Sequence, residues 1–409
     1  MKDKCVFTVC ARNYLAQALT LRESFIRNNH SIDFFIFIAD TFEGVQEDPF
    51  IIKLDDSWLP GWKAMAFKYN VIEFSTSIKP FCIHYLFKTY NNVVYLDPDI
   101  YVIKDLTYIF DKLKLKDIFI TPHYLTIEEN YTGAVTEEEI LFVGIYNLGF
   151  LGIRNSEIGN KVVSWWMNRL RDKCYADKFD GLHVDQKWFD FIPAYFPNNV
   201  EISHHVGINT AIWNLHERTL LEDSGQYFVI NNRTGEKMDL LFFHFSGFNP
   251  RNPAVINRRH PRYNIDTFPS FKNIFDEYAD AVFAHNYLQY TEMPYGFNWF
   301  SNFERIIPFQ RRIFRVLEAE MNIEDPFEST GAFYRLLRSN KFLTHDRVKK
   351  IGSSDPNVLT SNSSGIRLGK MFLKFLKFAL PLRHYNNILV FFSEYYRAEK
   401  SVFLIKKEN

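Results

Sequence analysis

The sequence predicts an α/β fold, a Rossmann-like mixed and mostly parallel sheet flanked by helices, followed by a mainly helical C-terminal region. Short apolar runs of strand length alternate with segments of helical spacing as far as about residue 265. Two of these runs end on a carboxylate, at Asp40 and Asp97, and ligands of such sheets gather at the carboxyl ends of the strands. Beyond Phe268 the spacing turns helical.

Cys5 to Cys10 reads as a buried strand, followed by Leu15, Ala18, Leu19, Phe25 and Ile26 at helical spacing, with Asn13 as the expected N-cap. Phe34–Ala39 and Val93–Leu96 are the next strands, and Ile118–Thr121, Gly149–Ile153 and Leu240–Phe245 follow. Helices are expected over Lys161–Lys173, Ile306–Met321 and Ala332–Leu343, and the polar stretch Gly352–Gly365 reads as a linker. The expected organisation is a sheet domain over 1–265, a helical extension over 266–351, and a linker with a basic amphipathic segment over 352–409.

The chain has 409 residues, 47% of them hydrophobic and 23% charged, which fits a folded chain with a large core and excludes wholesale disorder. Its 42 phenylalanines suit an aromatic core, a stacking surface or a membrane-facing edge equally well. Net charge is zero overall, but nine Lys/Arg stand against three acids from Ser361 to Asn409, so the tail carries +6 and the rest −6. With the basic excess confined to the tail, no nucleic-acid partner is expected. Four cysteines form neither a disulfide framework nor a metal-binding CxxC pattern, which favours a reducing compartment. Met1 to Ala11 carries no signal-like pattern and no run reaches transmembrane length, so a cytoplasmic location is expected.

The chemistry-bearing residues cluster around Tyr95-Leu-Asp97-Pro-Asp99. Two carboxylates at i and i+2 on a strand end share a face and can reach one cation, and hard oxygen ligands suit Mg²⁺ or Mn²⁺. The bland alternative is a solvated turn. His244, at the end of Leu-Leu-Phe-Phe-His, is a third ligand candidate or else a hydrogen-bonded core histidine. Gly247 allows close backbone approach to a phosphate. Asn147, two residues before Gly149, offers an amide for sugar hydroxyls or marks an ordinary turn. Asp185 and Gln186 place a carboxylate beside an amide, or simply start a helix. Lys79-Pro80 is a surface cation at a helix start, or a diphosphate contact.

In this order the pieces resemble the GT-A glycosyltransferases, most closely the family 8 type that includes glycogenin and bacterial lipooligosaccharide galactosyltransferases, over roughly residues 4 to 250. The resemblance rests on Asn13-Tyr14-Leu15, Lys79, Asp97-Pro-Asp99, Asn147-Leu-Gly149, Asp185-Gln186 and His244-Phe-Ser-Gly247. It implies a GT-A domain over 1–265 with an acceptor-side extension behind it. Mn²⁺ or Mg²⁺ would sit on Asp97, Asp99 and His244, and Asp185 and Gln186 would stand at the reaction centre. A UDP-sugar donor would be held by Thr8, Cys10, Asn13, Asp40, Lys79, Asp97, Asn147, Gly247 and Arg251. Pro250 stands where the family usually has lysine, and Arg251 is the expected substitute. Phe248-Asn-Pro-Arg-Asn-Pro is closer to bacterial polysaccharide transferases than to glycogenin. The implied activity is hexose transfer, with retention, to a glycan or lipid-linked glycan acceptor of capsule, O-antigen or lipooligosaccharide synthesis. A sugar nucleotidyltransferase would need a glycine-rich loop after the first strand, where this chain has Cys10-Ala-Arg-Asn-Tyr-Leu. The remaining alternative is a non-catalytic nucleotide-sugar-binding or scaffold subunit.

In the tail, Lys370, Lys374 and Lys377 share one face of a helix with Met371, Phe372, Phe375 and Leu376 beside them. Such a helix either packs on the protein or lies in a membrane interface, giving an expected peripheral membrane contact through 366–409.

Overall fold

A computed structural model describes residues 1–258, 263–321, 323–344, 364–395 and 397–405. The chain divides into two compact units, Met1–Met65 with Tyr69–Tyr295, and Ala66–Lys68 with Gly296–Asn409.

The first unit is built on a seven-stranded sheet. In chain order its first strands are β1 (Lys2–Cys10), β2 (Asp33–Ile38), β3 (Ile51–Ile52) and β4 (Tyr90–Leu96). A three-residue strand, β5 (Ile100–Val102), leaves the sheet, and β6 (Ile118–Ile120) and β7 (Phe150–Arg154) return to it. Val200–Ile202 forms one edge, next to β6, and the order then runs β7, β4, β1, β2, β3. β1 lies parallel to β2 and β4, and β6 parallel to the edge strand, whereas β7 runs antiparallel to both of its neighbours. The sheet is therefore mixed around one reversed strand. Its central strands are near-continuous apolar runs because both faces are covered: Val6, Phe7, Val93 and Val94 are fully buried.

The helix α1 (Leu15–Asn28) covers one face, burying Leu15, Ala18, Leu21 and Phe25 in a core with Ile36, Ile38 and Val94. Asn13 does not cap it. A 3₁₀ turn over Arg12–Tyr14 precedes the helix, and Tyr14 holds the N-cap position with no side-chain cap.

The first unit reaches Tyr295, past the boundary near 265 that helical spacing indicates. The Lys272–Ala284 helix buries Ile274, Phe275, Tyr278 and Val282 in the same core as Phe243, Phe245 and Phe248. Phe245 and Tyr278 stack with centroids 3.9 Å apart. Periodicity identifies a helix, but not the core on which it packs.

In the second unit Phe67 is ringed by Phe300, Phe314, Phe327 and Phe333 at 4.9–5.8 Å between centroids. The buried Arg311 guanidinium donates to the carbonyls of Ala66, Phe67 and Phe297 at 2.6–3.0 Å, so its charge is matched by backbone dipoles. The expected linker lies outside the described residues up to Ser363, and Ser364 and Gly365 open the Ser364–Ala379 helix. Lys406, Lys407 and Glu408 also lie outside them. No helix among the described residues is long and apolar enough to cross a membrane.

Candidate metal-binding active site

Asp97, Pro98 and Asp99 form a tight turn between β4 and β5, with the Ile100 N–H donating to the Asp97 carbonyl at 3.1 Å. The two acids thus stand just beyond the strand end rather than on it. β5 pairs antiparallel with Phe242–His244, and the register sets His244 opposite Ile100, one residue from Asp99. Ladder hydrogen bonds carry on into the site. Asp97 N–H donates to the Gly149 carbonyl at 2.7 Å, and Phe245 N–H to the Asp99 carbonyl at 2.8 Å. Sheet pairing therefore fixes three chain segments, around 97–99, 147–149 and 244, against one another.

His244 Nε2 lies 3.2 Å from Asp99 Oδ1 and 3.7 Å from Asp97 Oδ2. The three residues offer ligand atoms all within 4.8 Å of one another, and they are the one such group among the described residues to include both acids of the turn. His244 is buried, while the two carboxylates are 28% and 17% exposed, leaving one side of the group open to a ligand. Nδ1 of His244 pairs with Asn209 Oδ1 at 3.1 Å. Since an amide oxygen only accepts, the proton sits on Nδ1 and the Nε2 lone pair faces the carboxylates. Three acceptors converging on one point form a group that a cation can fill. Burial opposes protonation of the ring, yet Asp99 and Asp97 raise its pKa, which is the response of a proton standing in for that cation. Two carboxylate oxygens and one imidazole nitrogen fit Mn²⁺ or Mg²⁺, with open positions for substrate oxygens.

Lys79 is not a surface cation. It is buried, with Nζ 2.9 Å from Asp185 Oδ2 and 3.5 Å from Asp97 Oδ1, and it donates to the Leu148 carbonyl at 3.0 Å. Burial lowers its pKa, but Asp185 and Asp97 outweigh that, so the ammonium stays charged. Burial also pushes Asp185 up, and Lys79 only partly offsets it. Tyr95 closes the group, its hydroxyl donating to Asp97 and its ring lying 4.2 Å from the Lys79 ammonium.

Asn147 and Gln186 lie against each other. The Asn147 amide is fully used inside the protein. Its oxygen accepts from Gly149 N–H and Asn209 Nδ2, and its nitrogen faces His123 Nε2 and Gln186 Oε1 at 3.3 and 3.4 Å. Gln186 accepts from Leu148 N–H at 3.0 Å and donates to the Val143 carbonyl at 2.9 Å. Both therefore hold the 143–149 segment in place rather than present open hydrogen-bonding groups. Gly149 is needed here because a Cβ would come 2.3 Å from His244 Cε1.

The other expected contacts are spread more widely. Thr8 and Cys10 are core side chains, 0% and 2% exposed, because both faces of β1 are covered. Asn13 is half-buried in the 3₁₀ turn. Asp40 is buried at the end of β2, where it accepts from the N–H groups of Arg12 and Thr41 and lies 3.3 Å from Arg12 Nε. Gly247 has φ +71°, and a Cβ there would meet Asn257 at 2.8 Å. Arg251 is exposed, with its guanidinium 5.8 Å from the Tyr287 ring centre.

Three residues of the site do not stand out in the sequence: Asn209, His123 and Trp213, whose ring packs edge-on to His244 at 5.0 Å. The available signal is a pair of amides, Asn209 and Asn214, inside the mainly apolar stretch from Val206 to Leu215.

No protein-family model matches the chain. An uncharacterized protein of Bacillus subtilis (strain 168), YfnF, is 23% identical over 193 residues, 47% of this chain; the match spans about three-fifths (61%) of that relative's length. Among solved structures, the galactosyltransferase LgtC with donor and acceptor sugar analogs aligns with TM-score 0.39 at 15% identity, over 68% of this chain and 95% of that one. The glycosyltransferase GlyE of Streptococcus pneumoniae TIGR4 aligns with TM-score 0.37 at 15% identity, over 73% and 67%. Mouse xyloside xylosyltransferase 1 aligns with TM-score 0.37 at 14% identity, over 60% and 98%. Each TM-score lies below 0.5, so the chemistry of this chain is read from its own site residues.

Proposed function

We propose that this chain is a metal-dependent glycosyltransferase of the GT-A type, moving a hexose from a UDP-sugar to a glycan acceptor. The observation that carries the reading is the convergence of Asp97, Asp99 and His244 just beyond the C-terminal end of β4, a central strand of the mixed sheet, with one side open. Bound there, Mn²⁺ or Mg²⁺ would neutralise charge growing on the leaving diphosphate. Asp97 and Asp99 would hold it from one turn, and His244 would do so with a nitrogen oriented by Asn209.

Asp185 would set a buried carboxylate at the oxocarbenium-like centre, and Lys79, 2.9 Å away, holds it in place and offsets part of the burial that raises its pKa. Asn147 and Gln186 act as positioning residues through the 143–149 segment. Retention follows from a front-face course in which the bond from the anomeric carbon to the diphosphate breaks, the acceptor oxygen bonds to the same face, and the acceptor proton passes to the leaving phosphate oxygen. A near-wild-type transfer rate in Asp185→Asn would remove Asp185 from this scheme. For the acceptor we favour a lipid-linked intermediate of bacterial surface polysaccharide synthesis, met by a cytoplasmic enzyme at the inner face of the membrane.

The test is release of nucleoside diphosphate from a panel of nucleotide sugars with Mn²⁺, Mg²⁺ or EDTA. Metal-dependent turnover of one UDP-sugar, abolished by Asp99→Asn, is the expected result. No turnover of any donor would favour a non-catalytic binding or scaffold subunit.

A further inference from the structure

Two successive helices near the C-terminus, Ser364–Ala379 and Leu382–Tyr395, leave large apolar side chains in water. Met371, Phe375 and Phe378 are 66%, 65% and 92% exposed, and Val390, Phe391 and Phe392 of the second helix are about half exposed. The patch continues into the short helical turn Ala398–Leu404, where Phe403 is exposed and packs edge-on to Tyr395. A run of exposed phenylalanines over two helices far exceeds the scattered apolar residues of an ordinary surface and marks a contact face.

The charge pattern chooses the occupant. With the helical advance of about 100° per residue, Arg367, Lys370, Lys374 and Lys377 fall within an arc of roughly 80°, and Leu368, Met371, Phe372, Phe375 and Phe378 occupy the arc beside it. The acid that follows these helices, Glu399, is engaged by Arg312 and Arg315 at 3.7 and 3.4 Å and so does not neutralise the lysine stripe. A second copy docked face to face would bring two such stripes together. An anionic bilayer presents the opposite charge beside an apolar interior, and lysine stems can lie along the apolar boundary with their ammonium groups at the headgroups.

We propose that the Ser364–Ala379 and Leu382–Tyr395 helices form an interfacial anchor that seats this protein on membranes rich in anionic lipid. The phenylalanine face enters the headgroup boundary, and the lysine stripe reads the surface charge. This is independent of the reaction catalysed by the first unit.

The test is sedimentation of the full chain with phosphatidylcholine vesicles, with and without phosphatidylglycerol. Wild type is expected to partition at least tenfold more strongly into the anionic vesicles and to be released by salt. Replacing Lys370, Lys374 and Lys377 with Gln should weaken that binding by on the order of a hundredfold. Phe372→Ser, Phe375→Ser and Phe378→Ser together should weaken it even at low salt, with an unchanged thermal midpoint as the folding check. Equal binding of wild type to neutral vesicles would overturn the proposal. So would absence of binding, including the case in which light scattering instead shows a dimer that the phenylalanine changes dissociate. The salt titration of wild type needs no variant to fold.

Discussion

Asn209 Oδ1 accepts the Nδ1 proton of His244 at 3.1 Å, and its amide nitrogen donates to Thr121 and Asn147, so one side chain orients His244, the proposed metal ligand, and ties it to the 147–149 segment. Asn209 adopts φ +54°, a conformation glycine also accepts readily. Asn209→Gly therefore removes the amide without adding backbone strain. Mn²⁺ affinity, measured by calorimetry, should fall about 10- to 100-fold, as for loss of a hydrogen bond behind a metal ligand.

Gly149→Ala places a methyl group 2.3 Å from His244 Cε1 and 2.9 Å from Asn147 Oδ1. The ring must move, because the backbone of residue 149 is held by the ladder bond to Asp97. We expect a stability loss of about 1–3 kcal/mol by urea unfolding, together with loss of tight Mn²⁺ binding. Unchanged metal binding would show that His244 is not a ligand.

Removing the Lys79 ammonium leaves Asp185 buried and unpaired. Lys79→Met should cost about 3–5 kcal/mol in urea unfolding. Adding Asp185→Asn to it should recover most of that loss, since the stranded charge is then gone. If the two changes are simply additive, the 2.9 Å pair is not energetically coupled.

His123 gives a pH dependence. Burial pushes its pKa down to about 4, below the ordinary value of 6.5, so the folded protein holds it neutral between Ile145 and Asn147. The unfolded chain takes up the proton first as pH falls, so this contribution to stability is complete above about pH 6.5. It is lost progressively down to pH 4 and changes no further below that. The loss is on the order of 3 kcal/mol. Urea unfolding across this range should show the slope, and His123→Gln should flatten it.

Much of this was legible before the fold was known. β1, β2 and β4 show as apolar runs because strands buried on both faces need no polar alternation, and Asp40 and Asp97 stand out by ending two of them. The reversed direction of β7 is not legible, since Phe150–Arg154 reads the same in either sense. Asn147, Lys79 and Gln186 are recognisable as polar residues in telling places. Whether they face a substrate or each other depends on the pairing that brings residues 79, 147 and 185 together. Asn209 escapes notice because nothing nearby in the chain reveals that His244, 35 positions away, will lie against it.

We propose that Asp97, Asp99 and His244 hold a divalent cation that in turn binds a nucleoside diphosphate. Electron paramagnetic resonance of Mn²⁺ titrated with the full chain, with and without UDP, tests this most directly. One Mn²⁺ should bind per chain, more tightly with UDP present, and binding should be lost in both Asp99→Asn and His244→Ala. Mn²⁺ binding that is absent in wild type, or unchanged in the two variants, would contradict it.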